Sequence, residues 1–264
     1  MNSVISLDGT AIKYEESGTG PLLVLIGDVA HHKTDRLLDF LTPVLEPHFT
    51  VLQYVRRDPG KLHLSVEQHI AREIEDLSAI LDIHGGSVFT FGVSTGACLA
   101  IKARQAGLPI IKLATYECPP TIKSRHKPEN QFNAASLLQF VALRNKGQTL
   151  KILLRTIGKA RVACAMVGLA LIWPAFKALA PHLAYDELSV REELPHAIQD
   201  QADPVSTTIL SSNTNRLKEA LRMLFQRLPQ VMHETISNQN HDVDPLVLGR
   251  ALVGIFSRSM AKSS

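Results

Sequence analysis

The chain has 264 residues, of which 45% are hydrophobic and 20% charged; this excludes a disordered chain and allows one large core, or a core carrying an insertion. The 28 Lys and Arg against 25 Asp and Glu leave a formal charge of +3, which gives no support to a nucleic-acid partner. Cys98, Cys118 and Cys164 supply neither a disulfide framework nor a zinc-ligand spacing, so a reduced, cytoplasmic setting is expected.

The opening residues, MNSVISLDGTAIKYEE, contain no basic start followed by an apolar run, so no secretory leader is expected. Ala11 to Glu15 alternates weakly and predicts an early strand. Leu22 to Ile26 is a continuous apolar run closed by Gly27 and Asp28, the pattern of a strand buried on both faces of a parallel sheet. Phe49 to Val55 repeats it and ends in the turn-forming Asp58-Pro59-Gly60. Ile70, Ile74, Leu77 and Leu81 lie on one stripe of a predicted helix over Glu67 to Leu81. Val88 to Phe91 predicts a short strand, Ala97 to Ala106 a helix stopped by Gly107, and Ile110 to Tyr116 the next strand. This alternation predicts an α/β fold, a mostly parallel sheet with crossover helices on both faces.

From 121 to 200 the pattern changes. Ala134 to Leu143, Leu150 to Val167 and Trp173 to Leu179 predict helices, punctuated by Pro174, Pro181 and Pro195. The segment is read as an all-helical insertion into a core made of 1–120 and 201–264. Its most apolar stretch, Val162 to Phe176, is broken by Pro174 and too short for a membrane span, so no stable membrane insertion is expected. Lys151, Arg155 and Lys159 recur as a solvated helix face. Thr207 to Leu210 then predicts a strand, Arg216 to Arg227 a helix and Val231 to Ile236 a last strand. Asp244 and Pro245 fit the N-cap and first position of a final helix whose Leu248, Leu252 and Phe256 face the core.

The sharpest chemical feature is Gly92-Val93-Ser94-Thr95-Gly96, between a predicted strand and a predicted helix. Small residues flanking a serine allow a tight strand-to-helix turn that lifts the hydroxyl above the sheet and sets the Thr95 amide at a helix N-terminus, where it can stabilise an oxyanion. Such a nucleophile needs a base. Of eleven histidines, His241 is best placed, after the last predicted strand and before the last helix. The orienting acid is expected at Glu117, at the end of the strand after the nucleophile helix, because the loop after Thr207 to Leu210 reads Ser211-Ser212-Asn213-Thr214-Asn215 and holds no acid. Asp203 is a weaker rival, and Asp242 fits better as a loop-shaping residue. A second oxyanion amide is expected from Asp28 or Val29, after the first buried strand. His31, Cys118, Trp173 and Phe176 are expected to line an apolar pocket. Cys98, one helical turn beyond Ser94, reads as buried packing. No side-chain cluster has metal-ligand spacing, and the glycine-rich loops lack the dinucleotide and phosphate-loop patterns, so neither a metal nor a cofactor is expected.

Taken in order, several segments resemble the α/β-hydrolase superfamily, and more narrowly the small bacterial members with a helical cap. Asp8-Gly9-Thr10 through Gly18-Thr19-Gly20-Pro21 resembles their usual opening, and Tyr54 to Arg57 resembles a Y-D-R-R-G segment. Leu113 to Pro120 resembles L-A-L-Y-E-P-P, Trp173 to Asp186 a cap signature, and Asn240 to Pro245 the segment of the catalytic histidine. The resemblance implies an α/β-hydrolase fold with a helical cap insertion, Ser94 as nucleophile and His241 as base. Haloalkane dehalogenases of the same superfamily carry a catalytic glutamate where Glu117 stands; their nucleophile is an aspartate, so dehalogenation is not expected here. The family's usual His-Gly is Ile26-Gly27 in this chain, its histidine before the nucleophile is Val93, and Val55 and Asp58 replace the aspartate and glycine of Y-D-R-R-G.

The expected activity is cofactor-free serine hydrolysis of a small to medium, largely apolar ester, thioester, lactone or related acyl compound. A protein that binds a small apolar ligand without turnover is the alternative, motivated by the altered 26–28 loop. A peroxidase-like or carbon–carbon-bond hydrolase using the same triad comes third. The sequence leaves the oligomeric state open, a homodimer being one option.

Overall fold

A computed structural model describes residues 1–28, 36–58, 66–118, 207–212, 231–236 and 243–260. Their strands are β1 (Asn2–Ile5), β2 (Ala11–Ser17), β3 (Leu22–Ile26), β4 (Thr50–Tyr54), β5 (Val88–Val93), β6 (Ile110–Tyr116), β7 (Thr207–Ser212) and β8 (Met232–Ile236). Their helices are α1 (Arg36–Leu45), α2 (Val66–Asp82), α3 (Thr95–Gln105) and, last in the chain, α4 (Pro245–Met260). The predicted helices of 121–200 and the predicted helix Arg216 to Arg227 lie outside the described residues.

The strands form one eight-stranded sheet in the order β1-β2-β4-β3-β5-β6-β7-β8. β1, β2 and β4 pair antiparallel, and every pair from β4 to β8 is parallel. The apolar runs predicted this burial: Leu23, Val24, Leu25 and Ile26 are all at most 1% exposed because both faces of β3 are covered.

Alternation along β3 sends its side chains into two cores. Val24 and Ile26 join Leu77, Ile80, Leu99 and Ile101 of α2 and α3 on one face. Leu23 and Leu25 join Leu41 and Leu45 of α1 and Leu248, Leu252 and Phe256 of α4 on the other. The second core is centred on aromatic rings, with Phe89 stacked on Phe256 at 5.2 Å and Phe49 edge-on to both. α4 begins as predicted: the Asp244 carboxylate accepts the Leu246 amide at 2.8 Å, satisfying one of the helix's free N–H groups.

The strand order also locates a crevice. From β3 the chain moves outward to β4, then returns past β3 to β5, so the winding direction reverses between β3 and β5. The helices that follow these two strands lie on opposite faces of the sheet, α3 in the first core and α1 in the second, so the chain diverges at their C-terminal ends.

Candidate active site

Ile26 on β3 pairs with Gly92 on β5, so Gly27 and Asp28 stand beside the end of β5 at that reversal. There the chain turns through Ser94 with φ 51 and ψ −119, a conformation costly for any residue with a Cβ, and α3 starts at once with Thr95. The predicted start of this helix at Ala97 is therefore two residues late. The tight turn leaves no room for a loop, and the Ala97 amide already donates to the Ser94 carbonyl at 3.1 Å.

Both glycines of the motif are demanded by close approach. A Cβ on Gly92 would lie 2.6 Å from the Ala97 Cα, and one on Gly96 would collide with the carbonyl oxygens of Ile26 and Gly27. The N-terminus of α3 thus sits directly against the end of β3. Ser94 is half-buried, and its amide donates to the Tyr116 carbonyl of β6 at 3.0 Å.

Glu117 follows β6. Val93 pairs with Tyr116, so Ser94 and Glu117 occupy the next position on two neighbouring strands. Glu117 is half-buried, has φ 50, and donates its amide to the Leu210 carbonyl of β7 at 3.2 Å. Cys118 turns back into the core, 5% exposed, where a hydrogen bond with Cys98 and burial push its thiol well above the ordinary thiol range. It is held as a neutral thiol. Cys98 is 1% exposed and packs in the same core, as expected of it.

Sequence reasoning did not single out the polar network beneath the turn. Arg56 and Arg57 leave the end of β4 and are both buried. Arg56 makes a two-pronged ion pair with Glu73 of α2, Nε to Oε1 at 2.8 Å and Nη2 to Oε2 at 2.9 Å. Its remaining nitrogen, Nη1, donates to the Gly27 carbonyl at 2.9 Å and to Thr95 Oγ1 at 3.3 Å. The Thr95 hydroxyl in turn donates to Asp28 Oδ1 at 3.2 Å. Arg57 grips Asp76 of α2 through Nε and Nη2, both at 2.5 Å, and Asp8 through Nη1 at 2.6 Å and Nη2 at 2.9 Å. The available signal was two arginines directly after a buried strand, with acids at Glu73 and Asp76, one turn apart, on the next amphipathic helix.

Ser94, Thr95, Asp28 and Glu117 are therefore gathered at the C-terminal edge of β3, β5 and β6. His241, Val29, His31, Trp173 and Phe176 lie outside the described residues, as do Asp203 and Asp242. His241 belongs to the segment that joins β8 to α4, both of which are described. Among the described residues, no group of His, Cys, Asp or Glu could hold a metal ion, and no helix is long and apolar enough to cross a membrane.

No family model matches the chain. Solved structures do. An α/β hydrolase from Sphaerobacter thermophilus DSM 20745 is 31% identical, with a TM-score of 0.72 over 97% of this chain and 100% of that one. A thermophilic esterase from Thermogutta terrifontis is 16% identical, with a TM-score of 0.61 over 99% and 98% of the two chains. A meta-cleavage product hydrolase from Pseudomonas fluorescens IP01 is 13% identical, with a TM-score of 0.64 over 98% of each. The last two share the fold; the first, at its identity and coverage, joins with the strand order and the glycine-flanked serine turn to place this chain in the α/β-hydrolase superfamily.

Proposed function

We propose that the protein is a cofactor-free serine hydrolase of small to medium, largely apolar acyl compounds such as esters, thioesters or lactones. One observation carries the reading: Ser94 is held at positive φ between two glycines that tolerate no Cβ, beside the strand end that carries Glu117. A strained, over-determined serine is hard to account for by folding alone.

In this reading His241 takes the Ser94 proton as the oxygen attacks the acyl carbon, and Glu117 orients the imidazole. The Thr95 amide and an amide from Asp28 or Val29 stabilise the oxyanion. His241 then gives its proton to the leaving group. Water, deprotonated by the same ring, releases the acid and restores Ser94. Residues 121–200 are read as a helical cap, with His31, Trp173 and Phe176 contributing to the pocket under it; Cys118, expected there from the sequence, faces the core instead. The esterase and the meta-cleavage product hydrolase among the similar structures support hydrolysis as the reaction class.

The test is a fluorophosphonate probe followed by peptide mass spectrometry. Labelling at Ser94, lost in Ser94→Ala and strongly slowed in His241→Ala, is expected. The competing reading, a ligand-binding protein without turnover, is favoured by the Asp28 carboxylate in the loop that would supply an oxyanion amide. An unlabelled, folded wild-type protein would decide for it.

A further inference from the structure

The Arg56 network has a direction. A guanidinium only donates and a carboxylate only accepts, so the Thr95 hydroxyl between them must accept from Arg56 and donate to Asp28. The Gly27–Asp28 peptide is trans, so its carbonyl and its N–H point opposite ways. Arg56 Nη1 holds that carbonyl at 2.9 Å, and the Asp28 N–H is thereby aimed away from Arg56. The guanidinium cannot drift, because its other nitrogens are locked on Glu73, itself 1% exposed.

We infer that Arg56 is a positioning residue for the oxyanion site: it fixes the Gly27–Asp28 peptide so that the Asp28 amide is presented, and through Thr95 it ties back the Asp28 carboxylate that would otherwise oppose the developing negative charge. The inference rests on the serine-hydrolase reading for its catalytic consequence, though not for its geometry. It resolves a tension in the sequence. A carboxylate in an oxyanion loop disfavours the transition state unless something holds it aside, and here a hydroxyl polarised by a buried cation does so. Thr95 then serves twice, its backbone N–H toward the oxyanion and its side chain toward Asp28.

Gly27-Asp28 is the sole Gly-Asp pair in the sequence. Protein labelled with ¹³C-carbonyl glycine and ¹⁵N-aspartate therefore gives a single carbonyl–amide correlation, from this peptide. Four variants are compared with wild type: Arg56→Lys, which keeps a charge for Glu73, Thr95→Val, which leaves the Arg56–Glu73 pair untouched, Thr95→Ser, which keeps the hydroxyl, and Thr95→Val with Asp28→Asn. Arg56→Lys should move the Gly27 carbonyl signal upfield and lower kcat on the order of 10- to 100-fold with little change in KM, as expected when a transition-state interaction is weakened. Thr95→Val should also lower kcat, Thr95→Ser should restore it, and adding Asp28→Asn to Thr95→Val should recover most of the loss.

An unmoved carbonyl signal in Arg56→Lys, or a Thr95→Val defect that Asp28→Asn fails to relieve in an active enzyme, would overturn the inference. If wild type is not labelled at Ser94 but the carbonyl signal moves, the positioning geometry stands and the hydrolase reading is what fails.

Discussion

Ser94 and Glu117 share a positive φ on adjacent strand ends. Their φ values are 51 and 50, and among the described residues they are the non-glycine residues at positive φ. Each stands one position beyond the Val93–Tyr116 register pair, and the Ser94 amide is strapped to the Tyr116 carbonyl at 3.0 Å. Strain is thus concentrated where the nucleophile and the acid are proposed, and the surrounding hydrogen bonds keep it from relaxing.

That strain can be measured. Ser94→Ala keeps the Cβ and its conflict with φ 51, whereas Ser94→Gly removes it. Ser94→Gly should be more stable than Ser94→Ala by about 1 kcal/mol, the relief of an unfavourable φ less the added entropy of an unfolded glycine. Calorimetric melting of the two inactive variants compares them directly. A Ser94→Gly protein that melts at or below the alanine variant would show that the turn stores no strain.

The glycines of the motif make a second prediction. Gly96→Ala drives a Cβ into backbone oxygens of Ile26 and Gly27, which cannot swing aside as a flexible side chain would. It should cost about 3 kcal/mol and abolish labelling of Ser94, because α3 must lift away from the end of β3. Gly86, with nothing within 4 Å, is the control: Gly86→Ala should change stability by less than about 0.5 kcal/mol. Equal urea midpoints for the two variants would contradict the close approach.

Asp8 makes the acid limb of stability predictable. Its hydrogen bonds to Arg57, whose guanidinium is held charged by Asp76 and Asp8 together, keep the carboxyl well below its ordinary 3.8. A carboxyl with a depressed pKa in the folded state adds stability that is fully present above the unfolded value and is lost as pH falls toward the folded one. The wild-type urea midpoint should therefore fall more steeply below about pH 4 than that of Asp8→Asn, with the two curves converging in strong acid. Parallel curves would show that the Arg57–Asp8 pair contributes no linkage.

β3 was legible because burial on both faces writes itself as an unbroken apolar run, Leu22 to Ile26. α1 and β1 were not. Pro43 lies inside α1 and reads as a breaker, and β1 is an edge strand with exposed side chains and no period to detect. The predicted start of α3 at Ala97 is two residues late, although the glycine-flanked serine already implied a tight turn with the Thr95 amide at the helix N-terminus.

Local chemistry therefore determined the α/β alternation, the glycine-flanked serine, the acid at a strand end and the capped last helix, each of which depends on neighbours within a few residues. Tertiary structure alone decided that the end of β3 lies against Gly96, that Ser94 and Glu117 share a register, and that Arg56 reaches across from β4 to Gly27, Thr95 and Glu73. These contacts join residues far apart in the chain. Their geometry follows from the order of strands in the sheet, which residue periodicity does not encode.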